Sequence, residues 1–456
     1  MATGSSDLTT FTTLLKTIYL QGVKDLINSK TTAFGRAKKA YREGLEMRRT
    51  LRTGRTHSLG AQAPGVALQT PQTVELKQPV IPPRYLYGTL EITEEIIEQA
   101  RSDAGSTARS LTVALNGLAT DMRDDLNRQW CNDGSGVLGV VSAVTLATGV
   151  VTLVEPTDVR KFGVGQLLNG FSVRTAGGTQ RTSNAAASPI FLVEAVNPSA
   201  GTITLADPNG VNDLSLGTSD LAANDVLVKN GTRTLGTAGV NGSRFEIMGL
   251  DGAVSIKNPP LDDAGLFGID RPLDFDGITA NASGVNAWAS YVNSAATSRP
   301  LTGPIMTSLI DGVHIKAGGV PDYFLTTFGI RAEYADLQGN VRRSVNRIQI
   351  SGETSGGFAE NVEGGEFLEY NNIPIIPEKY CTAGTVFLIG KDALGFDYWS
   401  DWHWLDRDGG VLKLSQQGGI KPSWIGVLAA FGEMGLSAPS QCAKATQIIG
   451  QDPLSG

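Results

Sequence analysis

The stretch Leu111–Trp130, LTVALNGLATDMRDDLNRQW, carries the strongest periodic pattern in the sequence. Its apolar side chains recur at steps of four, three, four, four and four residues, which places them on one face of an α-helix. A helix over residues 106–131 would be about 39 Å long, and Gly134 is a natural stop for it. We therefore predict a long helix that buries this face in the core. The face consists of Leu111, Leu115, Leu118, Met122, Leu126 and Trp130.

A long proline-rich segment, interpreted as an extended loop or a hairpin, precedes this helix. Residues 56–83 hold five prolines and little apolar periodicity, although Thr73–Lys77 alternates as a strand does. A loop of this length in a folded domain is usually functional or binds a partner. After the loop, Thr93 is a candidate N-cap for a helical region, because Glu94 and Glu95 supply the favoured acidic first turn.

The N-terminal segment is basic, whereas the rest of the chain is acidic. Residues 1–60 hold 11 Lys and Arg against 4 Asp and Glu, and the remaining residues hold 27 against 41, so the net charges are +7 and −14. Apolar spacing predicts a helix over residues 7–30. Two interpretations stay open for residues 36–55: a solvated charged helix, or an arm that docks on acidic protein or on packaged polyanion. The candidate contact residues are Arg36, Lys38, Lys39, Arg42, Arg48, Arg49, Arg52 and Arg55 in this segment, with Glu75 and Lys77 in the loop.

Residues 137–245 are predicted to form an all-β domain, because they are rich in Gly, Thr, Val and Asn and show short alternating runs. They contain an internal repeat with an offset of 52 residues, in which Val141–Pro156 corresponds to Val193–Pro208. Gly149 and Gly201 mark a tight turn at the same place in each copy. Two such hairpins can close a small sandwich or barrel.

The C-terminal part of the chain alternates predicted helices and strands. Pro374 and Pro377 lack a backbone donor, so residues 373–377 are predicted to be an edge strand. Gly318 and Gly319 are expected to end a helix. We expect helices over 302–316 and 330–337, and strands over 321–326, 385–389 and parts of 423–449 on either side of Pro439.

Composition argues against several classes of protein. The 456 residues carry a net charge of −7 and a pI near 5.2, unlike a nucleic-acid binder with a basic surface. No apolar run approaches the roughly 18 residues of a membrane span, and the first residues lack the pattern of a signal peptide. Cys131, Cys381 and Cys442 are far apart, so neither a disulfide framework nor a zinc site is expected. We expect a soluble protein that is intracellular at synthesis.

Motifs for catalysis and for cofactor binding are absent from the sequence. There is no Walker A pattern, no HExxH, no GxSxG and no GxGxxG that follows a predicted strand. Acidic residues on the long helix, Asp121, Asp124 and Asp125, stand near Arg123 and Arg128 and are interpreted as partners in ion pairs. No cofactor and no metal site is predicted.

One acidic segment has two interpretations. Asp397, Asp401, His403, Asp406 and Asp408 could be ligands of a hard metal or an acid/base cluster. An amphipathic strand explains the pattern more simply, because one set of alternate positions is mainly aromatic and the other carries Asp397, Asp401 and His403. The first set consists of Phe396, Tyr398, Ser400, Trp402 and Trp404.

Four stretches occur in an order that is typical of one family. They are YLYGTLEIT at 85–93, GGVPDYFLT at 318–326, NIPIIP at 372–377 with AGTVFL at 383–388, and LAAFGEMG at 428–435. In this order they resemble the major capsid proteins of tailed double-stranded-DNA bacteriophages, which share the Hong Kong 97-like fold. The resemblance implies an α+β fold with these parts: an N-terminal arm at 1–55, an E-loop at 56–88, a P domain with a long spine helix at 89–136, an inserted all-β domain at 137–245, an A domain with parts of the P domain at 246–395, and a return to the P domain at 396–456.

The resemblance also implies a function. The chain would be a structural subunit, not an enzyme, that assembles with itself into the hexamers and pentamers of an icosahedral capsid around double-stranded DNA, without reading its sequence. Implied partners are portal and scaffolding proteins and a decoration protein on the inserted domain, with no membrane; the implied location is the virion capsid, assembled in the host cytoplasm.

One feature of the family and two alternatives complete the expectations. Some members crosslink through a Lys–Asn isopeptide bond, for which Lys77 and Asn371 or Asn372, near Glu369, are the candidates in this chain. A phage tail, sheath or baseplate protein with a β insertion is the second hypothesis. A hydrolase with an acidic site at Asp397–Asp408 is the third, and it would need two carboxylates that flank a cleft.

Overall fold

The computed structural model describes residues 33–48, 50–52, 60–65, 76–77, 80–94, 104–172, 179–183, 188–208, 214, 221–233, 245–254, 289–339, 368–406, 412–414 and 423–450. Within these residues, three β-structures carry the fold: an open five-stranded sheet, a closed six-stranded barrel and a mixed six-stranded sheet.

The described helices and strands alternate along the chain in an α+β arrangement. The helices are α1 (Ala104–Cys131), α2 (Leu250–Ala253), α3 (Gly303–Ala317) and α4 (Phe328–Gly339). The strands are β1 (Lys38–Tyr41), β2 (Met47–Arg48), β3 (Leu51–Arg52), β4 (Leu76–Lys77), β5 (Val80–Ile81), β6 (Arg84–Thr93), β7 (Val137–Thr145), β8 (Val150–Leu153), β9 (Leu167–Phe171), β10 (Phe191–Asn197), β11 (Thr202–Ala206), β12 (Val226–Lys229), β13 (Tyr291–Asn293), β14 (Pro321–Thr326), β15 (Leu368–Tyr370), β16 (Ile373–Pro377), β17 (Val386–Gly390), β18 (Leu394–Trp404), β19 (Leu412–Leu414), β20 (Ser423–Leu436) and β21 (Ala443–Ala445).

The open sheet combines strands from both ends of the chain. Its order is β1–β18–β20–β19, and β6 pairs along the other side of β20. β1 runs parallel to β18, and the other pairs are antiparallel. β6 alternates between buried and exposed positions along its length, so one face of this sheet lies on the core and the other faces outward.

Helix α1 packs on the inner face of the open sheet, as its apolar stripe predicted. Leu115, Leu126 and Trp130 are buried in one cluster with side chains of β6, β18 and β20. Gly88 lies at the closest approach, because a Cβ at this position would collide with Met122. The helix ends at Cys131, three residues before Gly134.

The mixed sheet has the order β13–β21–β17–β14–β16–β15 and packs against α3 and α4. The helices and strands expected in this region are present, and Gly318 ends α3 with a φ of 59°. The expectation of an edge strand at 373–377 is wrong, because β16 lies between β14 and β15. Asn371 and Asn372 have φ of 51° and 62° and form a tight turn that folds β15 back on β16, so the prolines do not leave an edge.

The barrel closes in the order β10–β11–β8–β7–β12–β9, and the prediction of β-structure in this region is confirmed. The barrel has a separate hydrophobic core, because all buried residues of the cluster inside it lie between residues 138 and 227. The chain enters at Val137 and leaves at Val228, and these two residues are paired on neighbouring strands. The barrel therefore begins and ends at one place.

Strands β1, β2 and β3 lie in the segment for which a solvated charged helix is one expectation. Their side chains lack the apolar spacing of an amphipathic helix, and β1, β2 and β3 instead pair with other strands. The helix predicted over residues 7–30 lies outside the described residues. The three cysteines are buried free thiols, and burial raises the pKa of each one.

Candidate subunit-contact surfaces

Phe34 anchors the start of the described chain in the core. Its ring is 2% exposed and meets the rings of Trp130 and Phe396 edge-on, with centroids 5.5 and 5.0 Å away. Trp130 comes from α1 and Phe396 from β18, so the Phe34 side chain contacts both the helix and the open sheet on which the helix packs. Edge-to-face aromatic contacts of this kind contribute beyond the burial of their area.

Buried hydrogen bonds fix the backbone beside Phe34. The Ala33 N–H donates to Glu378 Oε2 at 3.2 Å, and the Phe34 N–H donates to Asn127 Oδ1 at 3.3 Å. The Asn127 amide in turn donates to Glu378 Oε1 at 2.8 Å. Burial raises the pKa of Glu378, although these donors favour its charged form. The carboxylate thus holds α1 and the N-terminal segment together.

The strand after this anchor adds to the edge of the open sheet. β1 pairs in parallel with β18, with Lys38 opposite Gly395 and Tyr41 opposite Tyr398. At its end the Arg42 guanidinium binds Asp397 Oδ1, with Nη2 at 2.8 Å and Nε at 2.9 Å. This carboxylate, which lay on the solvated face of the predicted amphipathic strand, is 2% exposed.

Two basic candidates of the N-terminal segment lie on aromatic rings of their own chain. The Arg36 guanidinium stands 5.1 Å from the centroid of the Tyr323 ring, and Lys39 Nζ stands 4.9 Å from the centroid of the Phe34 ring. Burial lowers the pKa of Arg36 and of Lys39. Cations placed over ring faces in this way are stabilised by the ring quadrupole.

The remaining basic candidates make surface pairs or lie outside the described side chains. Lys38 Nζ is 3.3 Å from Asp392 Oδ1, and Arg48 Nε donates to Glu46 Oε1 at 2.8 Å. Exposed pairs of this kind contribute at most about 1 kcal/mol each. Arg49, Arg55 and Glu75 lie outside the described residues, and for Arg52 and Lys77 only the backbone is described.

A two-stranded ribbon precedes β6 in the chain, and its residue Met47 is buried in the core beneath the open sheet. Met47 pairs with Ile81, Arg48 with Val80, Leu51 with Lys77 and Arg52 with Leu76. One constant antiparallel register runs through all four pairs, so β2 and β3 form one arm of a hairpin and β4 and β5 the other. Within the described residues, these strands pair only with one another.

Aromatic side chains cover part of the outer face of the open sheet. Tyr85 and Tyr87 are 55% and 57% exposed, and their rings stand 5.0 and 6.3 Å from the ring of Phe431 on β20. His403 on β18 meets the other side of Phe431 at 5.7 Å. We call Tyr85, Tyr87, His403 and Phe431 the aromatic face. Sequence reasoning missed it, although the alternation of tyrosines at 85 and 87 was a signal.

The acidic segment on β18 does not form a metal site within the described residues. Asp397 is bound by Arg42, and the Asp401 carboxylate accepts the Trp402 N–H at 2.8 Å. Register shifts after Tyr398 and after Ser400 interrupt the alternation that the sequence predicted. Trp402 is buried as expected, whereas Asp408 lies outside the described residues.

A buried charge cluster joins α1 to the end of the barrel. Arg128 donates to Glu246 at 2.6 and 3.1 Å and to Asp125 at 2.9 Å, and Lys229 of β12 lies 3.3 Å from Asp125. Burial opposes the charge of Asp125, but the attraction of Arg128 and Lys229 outweighs it and lowers its pKa to about 2. The predicted ion pairing is confirmed for Asp125, which pairs with Arg128, and for Asp124, which pairs with Arg123.

No helix of the described chain is both long and apolar enough to cross a membrane. No family model matches the chain, and no curated protein matches it.

Solved capsid structures are similar to the chain. The cyanophage A-1(L) capsid asymmetric unit aligns over 92% of this chain and 91% of that one, with 11% identity and a TM-score of 0.41. The capsid of a native GTA particle aligns over 90% and 87%, with 8% identity and a TM-score of 0.40. The procapsid of satellite phage P4, which includes a size determination protein, aligns over 95% and 91%, with 9% identity and a TM-score of 0.38.

Proposed function

We propose that the chain is the structural subunit of a phage capsid and that it assembles with further copies of itself into a closed shell. The observation that carries this proposal is the ribbon formed by β2–β5. Met47 at one end of this hairpin is buried in the subunit's own core, whereas Leu76 on β4 is 58% exposed. A two-stranded ribbon without further packing is marginally stable in water, so the β3–β4 end calls for support from another surface. A neighbouring copy of the chain supplies such a surface in a shell.

The aromatic face supports the same proposal. Tyr85 and Tyr87 stay more than half exposed beside Phe431, although tyrosines are enriched at protein interfaces because they combine apolar area with a polar tip. An outward face of this kind on a sheet that is otherwise well packed is suited to contact with another subunit. Many weak contacts of this sort add up in a closed symmetric assembly.

The basic N-terminal segment is assigned to protein contacts. Arg36, Lys39 and Arg42 are engaged with side chains of their own chain, which leaves them poorly placed to neutralise phosphates. We therefore infer that residues 33–42 hold the N-terminal segment on the core of their own subunit. The basic side chains of residues 48–55 are proposed to contact a neighbouring subunit. Packaged double-stranded DNA is enclosed without sequence-specific contacts.

The finer organisation belongs to the same proposal. The subunits form hexamers and pentamers of an icosahedral shell in the virion, after assembly in the host cytoplasm. Portal and scaffolding proteins are the expected partners, and the barrel is the proposed site for a decoration protein. Residues 1–55, 56–88 and 89–136 act as arm, E-loop and P domain, and residues 246–395 form the A domain with parts of the P domain.

Electron microscopy of the purified protein tests the proposal directly. The chain is expressed alone and then together with its neighbouring genes. Closed shells, or rings of five and six subunits, are the expected result. Stacked rings or rods without any shell would favour a tail protein, and a dispersed monomer in both preparations would contradict both structural functions.

A quadruple variant separates protein contacts from DNA contacts. Replacing Arg48, Arg49, Arg52 and Arg55 by Ala is expected to reduce the yield of shells, because these residues meet a neighbouring subunit. Lys38→Ala, which removes only an exposed pair with Asp392, is the control and should leave the yield unchanged. Normal shells that retain less DNA would overturn the assignment of these arginines.

A further inference from the structure

The barrel is built from two copies of one three-stranded unit. β7, β8 and β9 form the first copy, and β10, β11 and β12 follow in the same order in the second. The order around the barrel, β10–β11–β8–β7–β12–β9, is unchanged when the two copies are exchanged. Each third strand pairs with the first strand of the other copy, β9 with β10 and β12 with β7. Neither copy therefore closes its own sheet.

The ladder between β8 and β11 obeys a two-fold relation. Val151 stands opposite Ile203, its equivalent at the offset of 52 residues, so this pair maps onto itself. The flanking pairs, Thr152 with Thr202 and Val150 with Thr204, exchange with each other under the same operation. A two-fold axis through the central pair relates the two hairpins.

Hydrogen bonds between the hairpins are reciprocal. The carbonyl of Gly149 accepts the N–H of Leu205 at 2.8 Å, and the carbonyl of Gly201 accepts the N–H of Leu153 at 3.2 Å. The two glycines have φ of 65° and 64°, a left-handed conformation that glycine adopts without steric cost. Each turn therefore docks on the second strand of the other hairpin in the same way.

Irregularities of the two hairpins are also equivalent. The register shifts between Val141 and Ala143 in the first hairpin and between Val193 and Ala195 in the second. Val141 and Val193 are both fully buried in the barrel core. A bulge at the same place in both copies is part of the repeated unit, since a bulge bends the strand and increases its twist at a fixed point.

We propose that the barrel is a fused homodimer. Each hairpin carries a self-complementary surface, and the partner that fits this surface is a second copy of the same hairpin. Contacts related by a two-fold axis use the same patch on both partners, which is what the reciprocal bonds and the self-paired Val151–Ile203 position display. This inference does not depend on shell assembly.

Grafting one hairpin onto the other tests the proposal in the full-length chain. Residues 192–205 are replaced by the sequence of residues 140–153, so that both hairpins carry the first copy's sequence. Amide hydrogen exchange is then measured on β8, β9 and β12. The graft is expected to keep protection factors within about tenfold of the parent chain, because the two-fold interface is restored by an equivalent surface.

A graft that is shifted by one residue is the matched control. Placing the sequence of residues 139–152 at 192–205 turns the core-facing side chains outward, so protection in the barrel is expected to fall by about a hundredfold or more. The proposal is wrong if the in-register graft loses protection as the shifted one does, or if both keep it. The reverse graft, residues 192–205 copied into 140–153, must also keep protection, and its loss would overturn the proposal independently.

Discussion

The barrel and the open sheet pair their strands and bury their apolar side chains in opposite ways. The barrel uses one continuous stretch from Val137 to Lys229, closes on itself and keeps a private core. The open sheet draws β1 and β6 from the first part of the chain and β18–β20 from the last part, and it packs on α1. A closed barrel has no edge, whereas an open sheet presents backbone groups at its edges that other strands can bind.

This difference separates a closed barrel from an open sheet that leaves edges and an exposed aromatic face. The six strands of the barrel pair around a closed ring, and its core consists of residues of these strands and of the segments that connect them. The open sheet instead carries the aromatic face, and its strand β6 follows the ribbon in the chain. We therefore expect the two regions to respond separately to perturbation, and the four predictions that follow test this in order of decreasing effect.

Phe34→Ala is expected to destabilise the open sheet by about 3–5 kcal/mol, because it removes a buried aromatic ring from between α1 and β18. The free energy of unfolding from chemical denaturation measures the loss, and hydrogen exchange should locate it in β1 and β18. Tyr41→Ala, at a side chain that is 58% exposed, is the control. An equal loss of protection in the barrel would break the proposed separation of the two regions.

Leu205→Ala is the converse change, and it should destabilise the barrel by about 3 kcal/mol. Its side chain is fully buried in the barrel core, which contributes nothing to the cluster beneath the open sheet. Exchange should therefore accelerate in β8 and β11 while β20 keeps its protection. Val164→Ala, at an exposed position, is expected to change neither region. Faster exchange in β20 would show that the barrel core supports the open sheet.

The sequence predicted best what local patterns determine. The stripe from Leu111 to Trp130 specified α1 to within two residues at its start, because helical spacing is a property of neighbouring residues. The repeat around Gly149 and Gly201 likewise predicted paired hairpins, because both turns require the conformation that glycine favours.

Features that depend on distant partners escaped prediction. β1 has no apolar alternation of its own, and it becomes a strand because β18 offers an edge 357 residues later in the chain. Asp397 was expected in solvent, but Arg42 supplies the charge that permits its burial. The edge assigned to β16 failed for the same reason, since the turn at Asn371 brings in β15. The contact candidates Arg49, Arg55 and Glu75 stay predictions.

Acid should weaken the buried charge cluster of Asp125, Arg128, Glu246 and Lys229, which joins α1 to the end of the barrel and is called the joint below. The pKa of Asp125 is lowered from its ordinary 3.8 to about 2, so its pairing with Arg128 stabilises the fold above about pH 4 and is lost as the pH falls toward about 2. The shift corresponds to about 2 kcal/mol of the free energy of unfolding. Asp125→Asn should flatten this part of the stability profile, measured by denaturation between about pH 4 and pH 2, whereas Asp124→Asn should not. A wild-type slope that persists in Asp125→Asn would contradict the assignment.

Excising the barrel should have the smallest effect on the open sheet. Because Val137 and Val228 are paired neighbours, an Asn-Gly turn can join them in place of residues 138–227 without moving either end. The main bonds of the joint, from Arg128 to Glu246 and to Asp125, lie outside the excised segment. We therefore compare the chain without residues 138–227 with the full-length Leu205→Ala variant, in which the barrel is weakened but present. The free energy of unfolding of the open sheet should differ between them by no more than about 1 kcal/mol. A larger loss, or failure of the shortened chain to fold, would mean that the barrel supports the open sheet through contacts other than this joint, and the two regions would then form one cooperative unit.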